Sequence, residues 1–484
     1  MVGGYSADDG GGKLIREKCG VTGIRSLSGS GTVAPLICNS LYALQHRGQE
    51  SCGIYVRNGS ELVGHRSMGM VANIFDAAFL MKLGGVAGVG HVRYSTTASS
   101  TIVEAQPYLY ESPEAKFALA FNGTIINFSD VKAQLAEKGH RFETATDTEV
   151  LAHLIGEQLK GGDYFSAFSE CMKVLDGAYS LTLLDQQGDV YGVRDPMGFK
   201  PLCWGYIGND YAVIASETVA LDTLGGIVAG EIEPGEVLRI GEGKVERQKL
   251  VESPRHAFCM FEYVYFARPD SFFHGTSVYD VRFRLGRNLA RSCPANADLI
   301  VPIPDSGRTA AAGYAQELGM PLAEGLIKNR YIGRTFIMPT QDTREVSVKL
   351  KLNPVKTLTQ GKDIVLVDDS IVRGTTMRRV VRLLKSFGGA RSVHVRISCP
   401  PIRNSCYMGI DFPTVKELVA AHESVEDISR LIGADSLGYQ NLDGLIDGIG
   451  LPESELCMAC LTGVYPLKQK PDLARLELEL GRRR

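Results

Sequence analysis

The sequence predicts a layered α+β domain followed by an α/β domain with a parallel sheet, because its rhythm changes near the middle. In the first half, glycines and polar turns separate many short apolar runs, and two helix-length stretches interrupt them. Such strand-rich patterns with grouped helices are typical of layered α+β domains. In the second half, short apolar runs alternate with helical patterns. This alternation favours a parallel sheet with crossover helices.

Individual segments carry this prediction. Strands are expected at 53–56, 117–121, 179–184, 236–240, 299–303, 364–367 and 393–397. Helices are expected at 35–44, 148–159, 309–318 and 377–387. The first domain should end in the polar stretch 241–254. The expected order is a leader (1–18), a first domain (19–255), a second domain (256–466) and a charged C-terminal helix (467–484).

The composition argues against several classes of protein. The 484 residues carry a formal net charge of −3, so no global field draws the chain onto nucleic acid or a membrane. No apolar run reaches the roughly eighteen residues of a spanning helix, and the N-terminus has no apolar core of signal-peptide length. The eleven cysteines are irregularly spaced, which argues against a disulfide framework. We expect a cytoplasmic enzyme, or a plastid stromal one if the source is a plant.

The segment 364–376 predicts a binding site for a phosphorylated ribose. Ile364 to Val367 form an aliphatic run typical of a strand buried on both faces. Two carboxylates, a loop of small residues and a helix follow, and a helix N-terminus favours a phosphate. The carboxylates can hold ribose hydroxyls, directly or through magnesium. The simpler alternative is a strand–turn–helix with two solvated aspartates. The candidate residues are Asp368, Asp369, Ser370, Val372, Arg373, Gly374, Thr375 and Thr376.

A second loop, 301–309, ends another strand and opens another helix. Gly307 and Arg308 could cradle a pyrophosphate, and Ser306 could touch the metal, with Asp305 beside it in the same loop. Lys328 and Lys349 lie between the two loops and could belong to a lid that excludes water. For either lysine, an ordinary solvated charged loop is an equal alternative.

Two family resemblances extend these predictions. The string 364–376 resembles the signature of type I phosphoribosyltransferases. In the first half, Cys19-Gly20-Val21 and the strings 43–50, 90–96, 121–123 and 147–149 look like the glutaminase domain of class II N-terminal-nucleophile amidotransferases. From Cys19 to about Pro466, the whole chain therefore resembles the glutamine phosphoribosylpyrophosphate amidotransferases.

The resemblance implies an αββα N-terminal-nucleophile fold for the first domain and roles for five residues. Cys19 becomes the first residue after removal of 1–18 and attacks glutamine. Its own α-amine is the general base, because an α-amine pKa of roughly 7.7–8.0 is close to neutral. Arg93 would pair with the glutamine α-carboxylate and Asp147 with its α-ammonium. Asn122 and the Gly123 backbone amide would form the oxyanion hole.

Four cysteines match the ligands of a [4Fe–4S] cluster in a subset of the family: Cys259, Cys406, Cys457 and Cys460. Such a cluster would clamp the C-terminal region onto the transferase domain. Cys399 competes with Cys406 for one position. Four reduced core thiols, or a redox dithiol at the Cys457–Cys460 pair, are the alternatives.

The resemblance thus implies an enzyme that converts glutamine and phosphoribosyl pyrophosphate into 5-phosphoribosylamine, pyrophosphate and glutamate, the first committed step of purine synthesis. It also implies one magnesium ion per subunit at Ser306, Asp368 and Asp369, feedback inhibition by AMP, GMP and related nucleotides, and a homotetramer. A non-catalytic nucleotide sensor and a glutaminase with a sugar-phosphate acceptor are the competing hypotheses. The intact Cys19 and the pair Asp368–Asp369 argue against the sensor.

Overall fold

The computed structural model describes residues 19–94, 101–144, 146–160, 162–253, 255–329, 352–410, 412 and 414–467. The predicted leader, Lys349 and nearly all of the predicted C-terminal helix lie outside these residues. The chain forms two compact units. The first unit consists of the described parts of 17–281, 406–411 and 449–484, and the second of those of 282–405 and 412–448.

The first unit contains most of the strands. In chain order they are β1 (Gly20–Ser26), β2 (Ser51–Asn58), β3 (Glu61–Met68), β4 (Ala87–Arg93), β5 (Tyr108–Glu111), β6 (Lys116–Ile125), β7 (Gly177–Asp185), β8 (Val190–Arg194), β9 (Cys203–Ile207), β10 (Tyr211–Ala215), β11 (Ile227–Glu231), β12 (Glu236–Gly241), β13 (Lys244–Lys249), β14 (Phe258–Cys259), β15 (Phe272–Phe273) and β16 (Thr276–Ser277). Its helices before residue 278 are α1 (Ala34–Ala43), α2 (Val71–Ile74), α3 (Ala77–Leu83), α4 (Phe128–Glu137), α5 (Asp147–Leu159), α6 (Tyr164–Val174) and α7 (Thr218–Thr223).

Two antiparallel sheets build the body of this unit. Within the described residues, one has seven strands in the order β11-β9-β10-β1-β4-β2-β3, and the other has six in the order β13-β12-β8-β7-β6-β5. Apolar side chains such as Val21 and Val89 from the first sheet and Ala118 and Ala120 from the second form a core between the sheets. Two further cores lie between each sheet and its helices. The predicted α/β/β/α layering is therefore confirmed.

The second unit has a parallel sheet, as predicted. Its strands are β17 (Leu299–Pro302), β18 (Leu326–Lys328), β19 (Leu352–Pro354), β20 (Asp363–Asp368), β21 (Ser392–Ile397) and β22 (Ser436–Tyr439). β17, β20, β21 and β22 pair in parallel in that order. The helices from residue 278 on are α8 (Val278–Ser292), α9 (Arg308–Leu318), α10 (Lys356–Thr359), α11 (Thr375–Ser386), α12 (Val419–His422), α13 (Val425–Ile432) and α14 (Leu442–Ile449).

The chain returns to the first unit near its C-terminal end. There β23 (Leu456–Cys457) pairs in parallel with β14, and the short helix α15 (Ala459–Thr462) follows. This pairing explains why 449–467 belongs to the unit that carries the two large sheets. No helix among the described residues combines the length and the apolarity that a membrane span requires.

Candidate active sites

Cys19 lies directly before β1, the central strand of the seven-stranded sheet. Its backbone has a φ of +31°, and its side chain is buried. The β1–β4 pairing places Gly20 opposite Val92, so Cys19 and Arg93 occupy adjacent strand ends. Val21, two residues after the cysteine, faces the core between the two sheets. The predicted nucleophile therefore stands at the edge of that inter-sheet space.

Asn122 lies on β6 in the facing sheet. Alternation along the strand puts it on the same inner face as Ala118 and Ala120, which pack between the sheets. Its carboxamide is fully buried, and neither the nitrogen nor the oxygen has a hydrogen-bond partner within the described residues. A buried polar group without a partner costs about 1–3 kcal/mol. An amide kept at that cost is suited to binding a group that arrives with the substrate.

Gly123, the other predicted oxyanion-hole residue, packs closely against β7. A Cβ at this position would collide with the Ala178 carbonyl oxygen and the Tyr179 backbone. The residue must therefore be glycine for the two strands to pair as they do.

Arg93 already binds a carboxylate within the protein. Its Nη2 donates to Glu104 Oε2 at 2.8 Å, and both side chains are largely buried. Glu104 ends a short 3-10 helix, Ile102–Glu104, and its pairing with Arg93 was not predicted from the sequence. The ion pair demonstrates that a carboxylate can reach the guanidinium, which is the contact predicted for glutamine.

Asp147 is the first residue of α5, and its Oδ2 accepts a hydrogen bond from the Ile125 backbone N–H at 3.3 Å. Glu149 is fully buried and accepts from the backbone N–H groups of Glu143 and Thr144, both at 2.7 Å. Glu149 thereby fixes the loop that leads into the helix. Glu149 belongs to the string 147–149 that carries the family resemblance, but no role was predicted for it.

In the second unit, the two predicted phosphate loops leave neighbouring parallel strands at the same edge. β17 precedes the first loop and β20 the second. Ser306 Oγ donates to Asp368 Oδ1 at 3.0 Å, which joins the loops directly. Gly307 packs so closely against the Val367 carbonyl that a Cβ would collide with it. The geometry therefore brings the predicted metal ligands of both loops together.

The two aspartates form a crowded acidic pair. Burial raises the pKa of Asp368 well above its ordinary value, and the neighbouring charge of Asp369 raises it further. Asp369 is buried and accepts from Ser370 Oγ at 2.5 Å. Carboxylate and hydroxyl oxygens of this kind suit magnesium. Among the described residues no group of three or more His, Cys, Asp or Glu could hold a metal, but magnesium usually needs only one or two carboxylates beside substrate phosphates.

The three basic candidates among the described residues of this region are each paired with an acidic side chain. Lys328 Nζ lies 3.0 Å from Asp305 Oδ2, and Arg308 lies 3.1 Å from Glu324 Oε1. The Arg373 guanidinium donates to Glu417 at 2.6 Å. A bound phosphate would have to replace these carboxylates.

The remaining candidates lie between β20 and the first turn of α11. Val372 is held by a bond from the Val419 N–H to its carbonyl at 2.9 Å. Gly374 has a φ of +76° and caps α11, whose first residues are Thr375 and Thr376.

All four predicted cluster ligands belong to the first unit and come from three segments. The β14–β23 pairing places Cys259 opposite Cys457. Burial raises the pKa of the Cys457 thiol, and the nearby thiols of Cys259 and Cys406 raise it further. Cys460 lies in α15. Burial raises the pKa of Tyr465, and the nearby thiols of Cys406, Cys460 and Cys457 raise it further. The eleven cysteines form no disulfide, and Cys399 belongs to the second unit.

Three of these thiols are buried and Cys406 is half-buried, and they come from three segments of the chain. Thiolate sulfur is the usual protein ligand of iron–sulfur clusters, so the chemistry of this donor set suits such a group. Among the described residues, no group of three or more His, Cys, Asp or Glu is placed to hold a single metal ion.

Comparison with known proteins matches both units. The family model of a glutamine amidotransferase domain matches residues 91–223, and that of a phosphoribosyl transferase domain matches 276–425. An amidophosphoribosyltransferase from Methanothermobacter thermautotrophicus is 47% identical over 464 residues, which cover 96% of this chain and 97% of that relative. The chain belongs to the amidophosphoribosyltransferase family.

Two further members of the family extend the comparison. A chloroplastic amidophosphoribosyltransferase from Glycine max is 42% identical and covers 94% of this chain and 79% of that relative. The solved structure of glutamine phosphoribosylpyrophosphate amidotransferase from B. subtilis, complexed with ADP and GMP, superposes with a TM-score of 0.86 at 40% identity. It covers 94% of this chain and 98% of that chain.

The amidophosphoribosyltransferase reaction joins the two predicted chemistries. The enzyme hydrolyses glutamine and transfers the ammonia to phosphoribosyl pyrophosphate, which gives 5-phosphoribosylamine, pyrophosphate and glutamate in purine synthesis. The expected function is therefore confirmed over the sensor and the sugar-phosphate alternatives.

Proposed function

We propose that Cys19 is the glutaminase nucleophile and that Asn122 and Gly123 stabilise the oxyanion it creates. The observation that supports this most directly is the buried Asn122 carboxamide without a partner, on the sheet that faces β1. Cys19 attacks the side-chain amide of glutamine, ammonia leaves, and water hydrolyses the thioester. Arg93 binds the α-carboxylate after exchanging it for Glu104, and Asp147 binds the α-ammonium.

The base for Cys19 is its own α-amine after removal of residues 1–18. An α-amine titrates near neutral pH and is attached to the nucleophile itself. Mass spectrometry of active enzyme should therefore find cysteine as the first residue. Active enzyme that retains the leader would contradict this assignment.

In the second half-reaction, ammonia attacks C1 of the ribose and pyrophosphate leaves. Asp368, Asp369 and Ser306 would hold one magnesium ion, which when bound neutralises charge on the pyrophosphate. The loop 305–308 and the segment 370–376 donate backbone and side-chain hydrogen bonds to the phosphates. Lys328 and Lys349 add positive charge, and no protein residue acts as a nucleophile in this step. Pyrophosphate release that requires both phosphoribosyl pyrophosphate and a nitrogen source tests the scheme.

Cys259, Cys406, Cys457 and Cys460 would hold a [4Fe–4S] cluster that fastens the returning C-terminal segment to β14. Iron content and the visible spectrum of purified protein test this. Cys457→Ser should lose the iron and the brown colour. Cys399→Ser should keep both, because Cys399 belongs to the other unit. A colourless wild-type protein prepared without oxygen would contradict the cluster.

We further propose that purine nucleotides inhibit the enzyme by feedback. We also propose that it forms a homotetramer. The B. subtilis relative was solved with ADP and GMP, which supports nucleotide binding here. The enzyme binds neither nucleic acid nor a membrane and works in the cytoplasm, or in the plastid stroma of a plant. Inhibition by AMP and GMP and the mass in solution test the first two statements.

A further inference from the structure

Phe121, the residue before Asn122, lies at a place where β6 loses one of its neighbours. β5 pairs with β6 only from Lys116 to Leu119, whereas β6 continues to Ile125. Within the described residues, no strand therefore pairs with the Phe121 backbone on this side. Two buried side chains take the place of the missing strand.

The first of these side chains is Gln106, which lies just before β5 and is 6% exposed. Its Oε1 accepts from the Phe121 N–H at 2.8 Å. The second is His91, whose Nε2 lies 3.0 Å from the Phe121 carbonyl oxygen. Burial lowers the pKa of His91 to about 3, so the ring is neutral, and Nε2 must carry the proton that it donates. Both backbone groups of Phe121 are thus fixed by side chains from outside β6.

Gln106 also reaches the other end of the glutamine site. Its Nε2 donates to Thr148 Oγ1 at 3.0 Å, and Thr148 is buried in the first turn of α5, directly after Asp147. One carboxamide therefore connects the residue before Asn122 with the residue after Asp147. The backbone of Gln106 is itself closely packed, because a Cβ at Gly53 would collide with the Gln106 carbonyl oxygen.

We propose that Gln106 is a positioning residue for glutamine hydrolysis: it holds the oxyanion-hole strand and the glutamine-binding helix at a fixed separation. The inference rests on the roles proposed for Asn122 and Asp147. Gln106 does not touch the substrate in this account. Its effect is geometric, and a misplacement of about 1 Å at a reacting centre can cost roughly 100-fold in rate.

Gln106→Met in the full-length enzyme is the direct test, because methionine has a similar length but cannot make either hydrogen bond. We expect kcat for glutamine hydrolysis to fall about 10- to 100-fold. The KM for phosphoribosyl pyrophosphate and the rate with ammonium as the nitrogen source should stay at wild-type values. A purely structural role would lower the glutamine-dependent and the ammonium-dependent rates together.

Combining Gln106→Met with Asn122→Ala reveals whether Gln106 acts through Asn122. If it does, Gln106→Met should add little loss in the Asn122→Ala background, because residues that act as a unit are not additive. Losses that multiply in full, or an unchanged kcat in the single Gln106→Met variant, would overturn the inference. If Asn122→Ala alone left glutamine hydrolysis intact, the proposed oxyanion hole itself would be wrong.

Two further variants serve as a second test and as a control. Thr148→Val keeps the side-chain shape but removes the oxygen that accepts from Gln106, so it should lower kcat for glutamine in the same direction even if Gln106→Met folds poorly. Gln440→Met is the matched control, since Gln440 is a buried glutamine in the second unit whose Nε2 donates to the Leu285 carbonyl at 2.9 Å. It should leave glutamine hydrolysis unchanged, and an equal loss there would contradict a specific role for Gln106.

Discussion

The glutaminase site and the transferase site are assembled in opposite ways. In the first unit, the candidates Cys19, Arg93, Asn122 and Asp147 come from four segments far apart in the sequence, on strands of two facing sheets and at the start of α5. In the second unit, nearly all candidates come from two short loops that follow neighbouring parallel strands. The first site therefore depends on long-range contacts, and the second is largely a property of local sequence.

The two sites also differ in their electrostatics. The glutaminase site contains a neutral buried amide, Asn122, and a guanidinium already paired with Glu104. The transferase site contains two adjacent carboxylates, and the pKa of Asp368 is raised by burial and by Asp369. A neutral amide suits an oxyanion that forms briefly, whereas an acidic pair suits a cation that stays bound.

The largest expected change in rate is that of an Asp368 variant, which should lose transfer but keep glutamine hydrolysis. Asp368→Asn should reduce transfer from both glutamine and ammonium by roughly 10³-fold, since metal-assisted charge stabilisation is worth several kcal/mol. Glutamine hydrolysis should persist. Asp363→Asn, at the other end of the same strand β20, is the control and should leave both rates unchanged. Steady-state pyrophosphate and glutamate assays measure the two rates.

The next effect concerns the long-range contacts of the first unit. Glu217 is fully buried and bonds to Arg47 and to His46 Nε2, the latter at 2.7 Å. Burial by itself would raise the pKa of Glu217, but Arg47 and His46 lower it overall. Breaking a buried ion pair typically costs about 3–5 kcal/mol, so Glu217→Gln should lower the free energy of unfolding by that order.

Denaturation at several pH values tests this further. A carboxylate with a lowered pKa stabilises the fold above its unfolded-state pKa, and this contribution is lost as the pH falls through its folded-state pKa. The difference between wild type and Glu217→Gln should therefore shrink in acid. The pair of the exposed Arg391 and the partly exposed Asp363 in the second unit provides the contrast, because Asp363→Asn should leave the unfolding midpoint close to that of wild type. If Glu217→Gln and Asp363→Asn lowered the free energy of unfolding equally, the buried ion pair would contribute no more to stability than the partly exposed one.

Arg93→Lys should have an intermediate effect. Lysine keeps the charge but loses the planar fork that binds a carboxylate with two hydrogen bonds. Loss of one charged hydrogen bond of about 1.5–3 kcal/mol predicts a decrease of roughly 10- to 100-fold in kcat/KM for glutamine. Arg57→Lys is the control, since Arg57 donates to the Gln186 carbonyl away from these residues. A normal kcat/KM for glutamine in Arg93→Lys would exclude Arg93 from substrate binding.

The smallest effect is expected at Lys328. Its side chain is about half exposed and pairs with the similarly exposed Asp305. Exposed ion pairs contribute little, typically up to about 1 kcal/mol. Lys328→Met should therefore raise the KM for phosphoribosyl pyrophosphate by only about five-fold, with glutamine hydrolysis unchanged. A loss as large as that of Asp368→Asn would show that the lysine contacts the reacting groups.

The same contrast explains what the sequence could predict. The strand at 364–367 and its loop were predicted from their own residues, because a buried strand, an acidic pair and a glycine turn are local features. Helix 35–44 was predicted within one residue of α1, Ala34–Ala43. Gln106, Glu104 and the parallel pairing of Cys259 with Cys457 were not predicted, because each depends on a partner distant along the chain. Even the role of Cys19 was inferred only by resemblance, since nothing beside it in the sequence activates a thiol.

Pyrophosphate release by Cys19→Ala, measured with glutamine and then with ammonium, tests the division into two sites most directly. The glutamine-dependent rate should fall by at least about 10³-fold, because the nucleophile is gone. The ammonium-dependent rate should stay close to that of wild type, and Cys52→Ala, in the same sheet, should retain both. A Cys19→Ala enzyme that still used glutamine, or that lost both rates equally, would contradict the account.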